Sequence, residues 1–176
     1  MQPSILIVGA GIGGLTAALA LQRAGHRPLV VEASTELGEA GAGLTVAPNG
    51  SRILEHLGLG DLIRTKACIP RRGAMLHYQT DEELVSTLRG QTLIDRYGAP
   101  YCQLHRADLH DALRAAVETR DASCIRTGYA LTGHKQRGGK VIATFTNQSP
   151  IEADLLIGAD GIHSAVRTQL FGEERA

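Results

Sequence analysis

Apolar and polar positions divide the chain into short segments with two rhythms. Ile5-Leu6-Ile7-Val8 is an unbroken aliphatic run, the pattern of a strand buried on both faces of a parallel sheet. The cluster Gly9-Ala10-Gly11-Ile12-Gly13-Gly14 follows it, and the Ala- and Leu-rich residues 15–24 predict a helix closed by Gly25. Pro28-Leu29-Val30-Val31-Glu32 predicts a second strand. Strand, glycine turn, helix and strand within about 30 residues make a βαβ unit.

The rhythm then changes. A glycine-rich stretch at 38–43 precedes Pro48-Asn49-Gly50-Ser51, which predicts a helix capped near Asn49 or Ser51 with Ile53, Leu54, Leu57 and Leu59 on its apolar face. Residues 72–88 alternate, with Ala74, Leu76 and Tyr78 on one side, Met75, His77 and Gln79 on the other, and a polar turn at Asp81-Glu82-Glu83; this predicts an antiparallel hairpin. Leu109, Leu113 and Val117 recur at helical spacing over 107–117, with Asp108 and Asp111 in the early turns, where carboxylates suit the helix dipole. Gly138-Gly139 joins two strand-like runs, 130–136 and 140–146. Finally Leu155-Leu156-Ile157 enters Gly158-Ala159-Asp160-Gly161 and a helix through Leu170, which repeats the buried strand, glycine turn and helix of the start. The predicted class is α/β, a Rossmann-like fold with a parallel sheet, a βαβ dinucleotide unit and antiparallel hairpin insertions.

Composition narrows the partners. A length of 176 residues fits one domain, predicted over 1–176. Eighteen Lys and Arg balance eighteen Asp and Glu, so no long-range field gathers a polyanion, and nucleic acid is not an expected partner. Cys68, Cys102 and Cys124 are an odd set without CxxC spacing, read as free thiols of a reducing compartment. The first apolar run is too short for a signal-peptide core or a membrane span and has no Lys or Arg before it, so the expected location is cytoplasmic, away from membranes. Glycine stands at 21 positions, clustered beside apolar runs, which suggests backbone packed against a ligand.

Gly9, Gly11 and Gly14 match GxGxxG, with Gly13 inside the same turn. One glycine makes the tight turn, the second lets backbone approach a pyrophosphate, and the third lets helix and strand pack closely. The N–H groups at the helix start then face the anion. Glu32, at the end of the second strand and 18 positions beyond Gly14, is placed to accept hydrogen bonds from an adenosine ribose, and Ala33 beside it joins the candidate contacts. The bland alternatives are a structural glycine turn and a solvated strand end. Asp160 reads either as a cofactor-loop residue or as an ordinary helix N-cap. The seven histidines form neither HExxH nor a Cys/His pattern, so no metal site is expected. Ser34, Ser86 and Ser164 lie outside any GxSxG elbow, which argues against a hydrolase, and Cys102 reads as a small buried residue. Lys66, Arg71 and Arg72 read as a solvated basic face, with steering of NAD(P)H as the alternative.

Taken in order, GAGIGG, Glu32, Gly41-Ala42-Gly43-Leu44 leading to Pro48-Asn49, His105-Arg106-Ala107-Asp108-Leu109 and the GADGxxSxVR segment from Gly158 to Arg167 resemble the flavin-dependent aromatic hydroxylases. These are the FAD-dependent monooxygenases of the para-hydroxybenzoate and salicylate hydroxylase family. The resemblance runs from Ile5 to Gly172. It implies an FAD-binding fold, with Asp160 and Gly161 as cofactor contacts, Asp160 acting indirectly by holding backbone N–H groups. It places Leu131 where relatives lay a strand along the adenine, and Arg106 in the HRxxL position. Arg106 also carries a physical argument, because a cation at a helix start opposes the dipole and needs solvent or an anion such as the flavin pyrophosphate; pairing with Asp108 or Asp111 is the alternative.

The implied reaction takes electrons from NADH or NADPH and oxygen from O2 to hydroxylate an electron-rich ring, a phenolic or aromatic acid. Relatives continue for roughly as long again, with a second flavin-binding GD motif and most of the substrate-binding sheet, so the chain is expected to be an N-terminal part that is incomplete at its C-terminus and inactive alone. Residues 72–103 are expected to supply strands to the substrate-side layer, while catalytic residues remain unknown. Expected partners are a small aromatic substrate and either a second copy in a homodimer or the missing C-terminal half. Alternatives are a non-catalytic nucleotide-binding module needing a partner chain, or part of an epoxidase, a quinone-pathway hydroxylase or a halogenase of the same fold. A simple NAD dehydrogenase is disfavoured because hairpins, not regular βα units, precede the GADG turn.

Overall fold

The computed structural model describes residues 2–38 and 42–172. Gly41, in the glycine-rich stretch, and the last four residues, 173–176, lie outside the described residues. The chain divides into two units, residues 1–38 with 113–176 and residues 39–112.

The first unit contains β1 (Ile5–Val8), α1 (Ile12–Arg23) and β2 (Pro28–Val31), the βαβ unit expected from the aliphatic runs. After the second unit the chain returns with β7 (Ile125–Arg126), β8 (Leu131–Arg137), β9 (Lys140–Phe145), β10 (Gln148–Ala153), β11 (Leu155–Gly158) and α6 (Ala165–Phe171). The parallel sheet has the order β11-β1-β2-β7, so β1 is central, with Ile5 opposite Leu155 on one side and Pro28 on the other. Strand alternation turns Leu6 and Val8 toward one face. There they join Val31 and Val166 with Ala143, Phe145 and Ala153 of the antiparallel sheet β10-β9-β8 in one buried cluster. Ile5 and Ile7 turn the other way, and α1 packs on β1 and β2 with Leu15, Ala18 and Leu19 buried. Pro150 sits inside β10 without breaking the sheet, because β10 is an edge strand and its register shifts between Gln148 and Ile151.

The second unit pairs β3 (Gly43–Val46) antiparallel with β6 (Cys102–His105), and adds α2 (Pro48–His56), α3 (Gly60–Lys66), α4 (Gln91–Tyr97) and the hairpin of β4 (Arg72–Leu76) and β5 (Glu83–Leu88). Helix α5 (Arg106–Arg120) starts in this unit and ends in the first. Three sequence expectations change here. Helix α2 has Ala47 at its N-cap with no side-chain cap, because Pro48 already supplies the helical φ, and Ser51 is buried inside the helix, donating to the Pro100 carbonyl at 2.6 Å. Leu54, Leu57 and Leu59 are buried as expected, but Ile53 is 50% exposed. The hairpin forms, yet both of its sides are open: Met75, Leu76, Leu84 and Val85 are all more than half exposed, and the register slips between Met75 and Leu76.

Candidate functional site

Three strands of the parallel sheet end in glycine-bearing or acidic turns, and all three turns meet at the sheet's carboxyl edge. Val8, Gly9 and Gly11 leave β1, Glu32 and Ala33 leave β2, and Ala159, Asp160 and Gly161 leave β11. With Tyr129, Ala130 and Leu131 they line one cleft of about 350 Å3, which His163 and Ala165 complete. Because β1 lies between β2 and β11, the connections diverge from it to opposite sides, and such a point leaves a crevice outside the strand ends.

The glycines of the first turn divide their work. Gly9 has φ +106°, its N–H donates to Val31 O at 2.7 Å, and a Cβ there would strike the backbone of Ala159. A Cβ on Gly14 would strike the Gly9 carbonyl, so this glycine allows α1 to sit against β1. Gly11 differs: it lines the cleft and a Cβ on it would meet no protein atom within 4 Å. The backbone is therefore bare toward the cleft where a ligand would lie, and not toward the protein. Gly13 is exposed in the first turn of α1 and does not line the cleft. Helix α1 has neither a side-chain cap nor an acidic residue in its first turn. Its first N–H groups thus present a positive helix end, with the Glu32 carboxylate held at Ala10, one residue before the Gly11 N-cap.

Glu32 couples this turn to β2. One carboxylate oxygen accepts the Ala10 N–H at 2.8 Å and the other accepts the Ser34 N–H at 3.0 Å. Each oxygen keeps acceptor capacity beyond that single bond, since a carboxylate offers about four lone-pair positions. Asp160 organises the third turn. The Ser164 hydroxyl donates to Asp160 Oδ1 at 2.6 Å, the Val166 N–H donates to Oδ2 at 3.2 Å, and the Arg167 N–H is accepted by Ser164 Oγ at 2.9 Å. Arg167 closes the loop by donating to the Ile162 carbonyl at 2.8 Å. The N-cap of α6 is Ser164 and not Asp160, which holds the loop by accepting the Ser164 hydroxyl and the Val166 N–H, while Gly161, at φ +80°, lies on the cleft wall.

Of the residues singled out from sequence, Gly9, Gly11, Glu32, Ala33, Leu131, Asp160 and Gly161 share this cleft, and Gly14 stands behind it. Arg106 begins α5 in the second unit, where its N–H donates to the Ala42 carbonyl at 2.9 Å, whereas the cleft is built wholly from the first unit. Tyr129, Ala130 and His163 were not singled out as cleft residues. Their only sequence signal is nearness to Leu131 and to the GADG turn. Among the described residues no group of three or more His, Cys, Asp or Glu is placed to hold a metal ion, and no helix is long and apolar enough to cross a membrane.

The FAD binding domain family matches residues 2–175. The chain belongs to that family. Within it, the chain is 38% identical over 172 residues to a 3-amino-4-hydroxybenzoate 2-monooxygenase of Streptomyces platensis, covering 98% of this chain and 43% of that protein. It is 37% identical over 173 residues to a 3-hydroxybenzoate 6-hydroxylase of Aquipseudomonas alcaligenes, covering 98% and 44%. The crystal structure of Klebsiella pneumoniae HpxO with FAD and uric acid superposes with a TM-score of 0.84 at 34% identity, covering 98% of this chain and 43% of that one. The chain thus corresponds to the N-terminal FAD-binding portion of flavoprotein aromatic hydroxylases and spans less than half the length of these relatives. For an FAD binding domain, the open backbone at Gly11, the positive end of α1 and the acceptors of Glu32 suit the phosphate and ribose of a dinucleotide.

Proposed function

We propose that this chain forms the dinucleotide-binding part of a monooxygenase that uses FAD, NADH or NADPH, and O2 to hydroxylate a phenolic or aromatic acid. The observation that carries this reading is the joined edge of the cleft, where the Glu32 carboxylate holds the Ala10 N–H and so fixes a ribose acceptor beside the phosphate-facing glycine turn. When bound, FAD accepts a hydride equivalent and activates oxygen for transfer to the ring. The protein's own residues bind and orient. The N–H groups opening α1, where Gly13 stands in the first turn, receive the pyrophosphate, with Gly11 offering bare backbone and Gly9 and Gly14 holding the turn. Glu32 accepts the ribose hydroxyls, with Ala33 beside it, while Leu131 faces the adenine. Asp160 keeps Gly161 in position by fixing the loop from below, and Arg106 is a further pyrophosphate contact on the strength of its HRxxL position.

Further parts of the reading rest on the likeness to the hydroxylases. Residues 72–103 supply strands to the substrate side, which the open, apolar sides of the β4–β5 hairpin support. The substrate is a small aromatic acid, as the names of the benzoate-hydroxylating relatives suggest. Three free thiols, Cys68 exposed and Cys102 and Cys124 buried, support a cytoplasmic setting.

The test is titration of the purified, flavin-free chain with FAD. Flavin absorbance that stays with the protein through gel filtration supports the reading, and protein that takes up no flavin overturns it for this chain.

A further inference from the structure

We infer that Gln169 is a positioning residue of the cleft, clamping the start of β8 to the loop that carries Gly161, and this inference rests on the dinucleotide reading above. Gln169 is not among the residues lining the cleft. Its side chain reaches from α6 to β8 and takes both backbone groups of one residue. The His134 N–H donates to Gln169 Oε1 at 2.8 Å, and Gln169 Nε2 donates to the His134 carbonyl. A carboxamide carries an acceptor and a donor side by side, as a neighbouring strand does, and of the long side chains glutamine offers this pair. The strand is suited to receive it. β8 is an edge of the β10-β9-β8 sheet, where backbone groups need partners, and Gly133, whose Cβ would touch Oε1 at 3.4 Å, adds no side chain there.

Each end of the clamp continues into the cleft. On β8, the cleft residue Leu131 lies three positions before His134, and the register to β9 shifts between Leu131 and Gly133. Thr144 of β9 steadies that stretch by donating to the Gly133 carbonyl at 3.1 Å, and Gln169 holds it from α6. On α6, Ala165 lines the cleft and Gln169 follows one turn later on the same face. The N-cap Ser164 donates to Asp160, so any shift of α6 carries the Gly161 loop with it. A helix of seven residues has little stability of its own, so its tertiary contacts set its place. Val166 packs in the buried cluster and Gln169 grips β8. Water competes for each amide bond because Gln169 is exposed, but the two together fix both distance and angle. Gln169 thereby sets the spacing of Leu131 and Gly161, two walls that one bound dinucleotide touches.

The experiment measures FAD affinity by flavin fluorescence at a temperature where circular dichroism shows each protein fully folded. Gln169→Leu removes donor and acceptor together and is expected to weaken FAD about tenfold, within the usual range of coupling between sites. Ser4→Ala, which loses a hydroxyl bond to Asp154 at the opposite edge of the parallel sheet, is the stability control and is expected to bind FAD like the wild type. Equal affinity in Gln169→Leu and the wild type overturns the inference, as does equal weakening by Ser4→Ala. A second readout uses wild-type protein alone. Coupling is reciprocal, so saturating FAD should slow hydrogen exchange at the His134 N–H by the same factor of about ten. The Asp154 N–H, bonded to Ser4, should keep its rate. No slowing at His134, or the same slowing at both amides, overturns the inference. If the wild type takes up no FAD, the dinucleotide reading falls and this inference with it; if it binds FAD while His134 exchanges as before, this inference falls alone.

Discussion

The Glu32 carboxylate holds the Ala10 N–H at 2.8 Å, joining the end of β2 to the glycine turn after β1. Removing the side chain takes away this brace and the ribose acceptor together. Glu32→Ala is expected to cost about 1.5–3 kcal/mol in FAD binding, the range for hydrogen bonds to a charged group. Flavin fluorescence titration reads this as a loss of roughly tenfold to a hundredfold in affinity. Unchanged affinity would remove Glu32 from the site.

The glycines of one turn should separate by phenotype. Gly14→Ala puts a Cβ into the Gly9 carbonyl and Gly9→Ala puts one into the Ala159 backbone at a positive φ, so both should lower the melting temperature, by an overpacking cost of about 1–3 kcal/mol. Gly11→Ala meets no protein atom and should melt like the wild type while binding FAD more weakly. A Gly11→Ala protein with full FAD affinity would mean that no ligand approaches that backbone.

Ser164 caps α6 and ties Asp160 into the loop. Ser164→Ala should destabilise the protein by about 1 kcal/mol, the usual worth of a cap, measurable by urea unfolding. It should also weaken FAD, because the loop that carries Gly161 loses an anchor.

Acid stability should depend on Asp154. Its carboxylate accepts the Ser4 N–H at 2.7 Å and the Ser4 hydroxyl at 2.8 Å, with Lys140 Nζ at 3.2 Å, and these bonds to the ionised form lower its pKa from 3.8 to about 2. The unfolded chain therefore takes up this proton before the folded one does, so the contribution is present above about pH 4 and disappears as the pH falls toward 2. Asp154→Asn should be less stable than the wild type near neutral pH, and the gap should close on acidification through that window. A gap that is constant with pH would show that the charge is not involved.

Thiol reactivity should split one against two. Cys68 is exposed, whereas burial pushes the Cys102 and Cys124 thiols up, helped by the nearby charges of Glu55 and Asp121 respectively. A thiol reagent should modify Cys68 in the native protein and reach the other two after unfolding. Three equally fast thiols would contradict the burial.

Much of the cofactor edge was legible without coordinates, since it depends on local rules. Ile5–Val8 reads as a doubly buried strand because all four side chains are aliphatic, and the following glycines are demanded by a turn whose backbone meets Ala159 and the Gly9 carbonyl. Glu32 was visible because a fixed βαβ length sets its distance from the turn. Helices α3 and α4, seven residues each, escaped notice because two turns are too short for a helical period to declare itself. Strand β3 was hidden in a glycine-rich stretch, and it exists because β6, far along the chain, pairs with it from Gly43–His105 to Val46–Cys102.

The sequence alone determined the parallel strands, the glycine turns, the acidic residue at the end of β2 and the GADG loop, because each follows from side-chain size and backbone freedom among near neighbours. Only the tertiary structure decided what stands across from them. Tyr129 and Ala130 join Leu131, which the family resemblance had already singled out, in the cleft because Phe145 and Ala143 bury themselves against Leu6, Val8 and Val31, bringing the start of β8 with them. No local pattern around Tyr129 could announce that, since its place is set by hydrophobic burial between segments more than a hundred residues apart in the chain, such as Leu6 and Phe145.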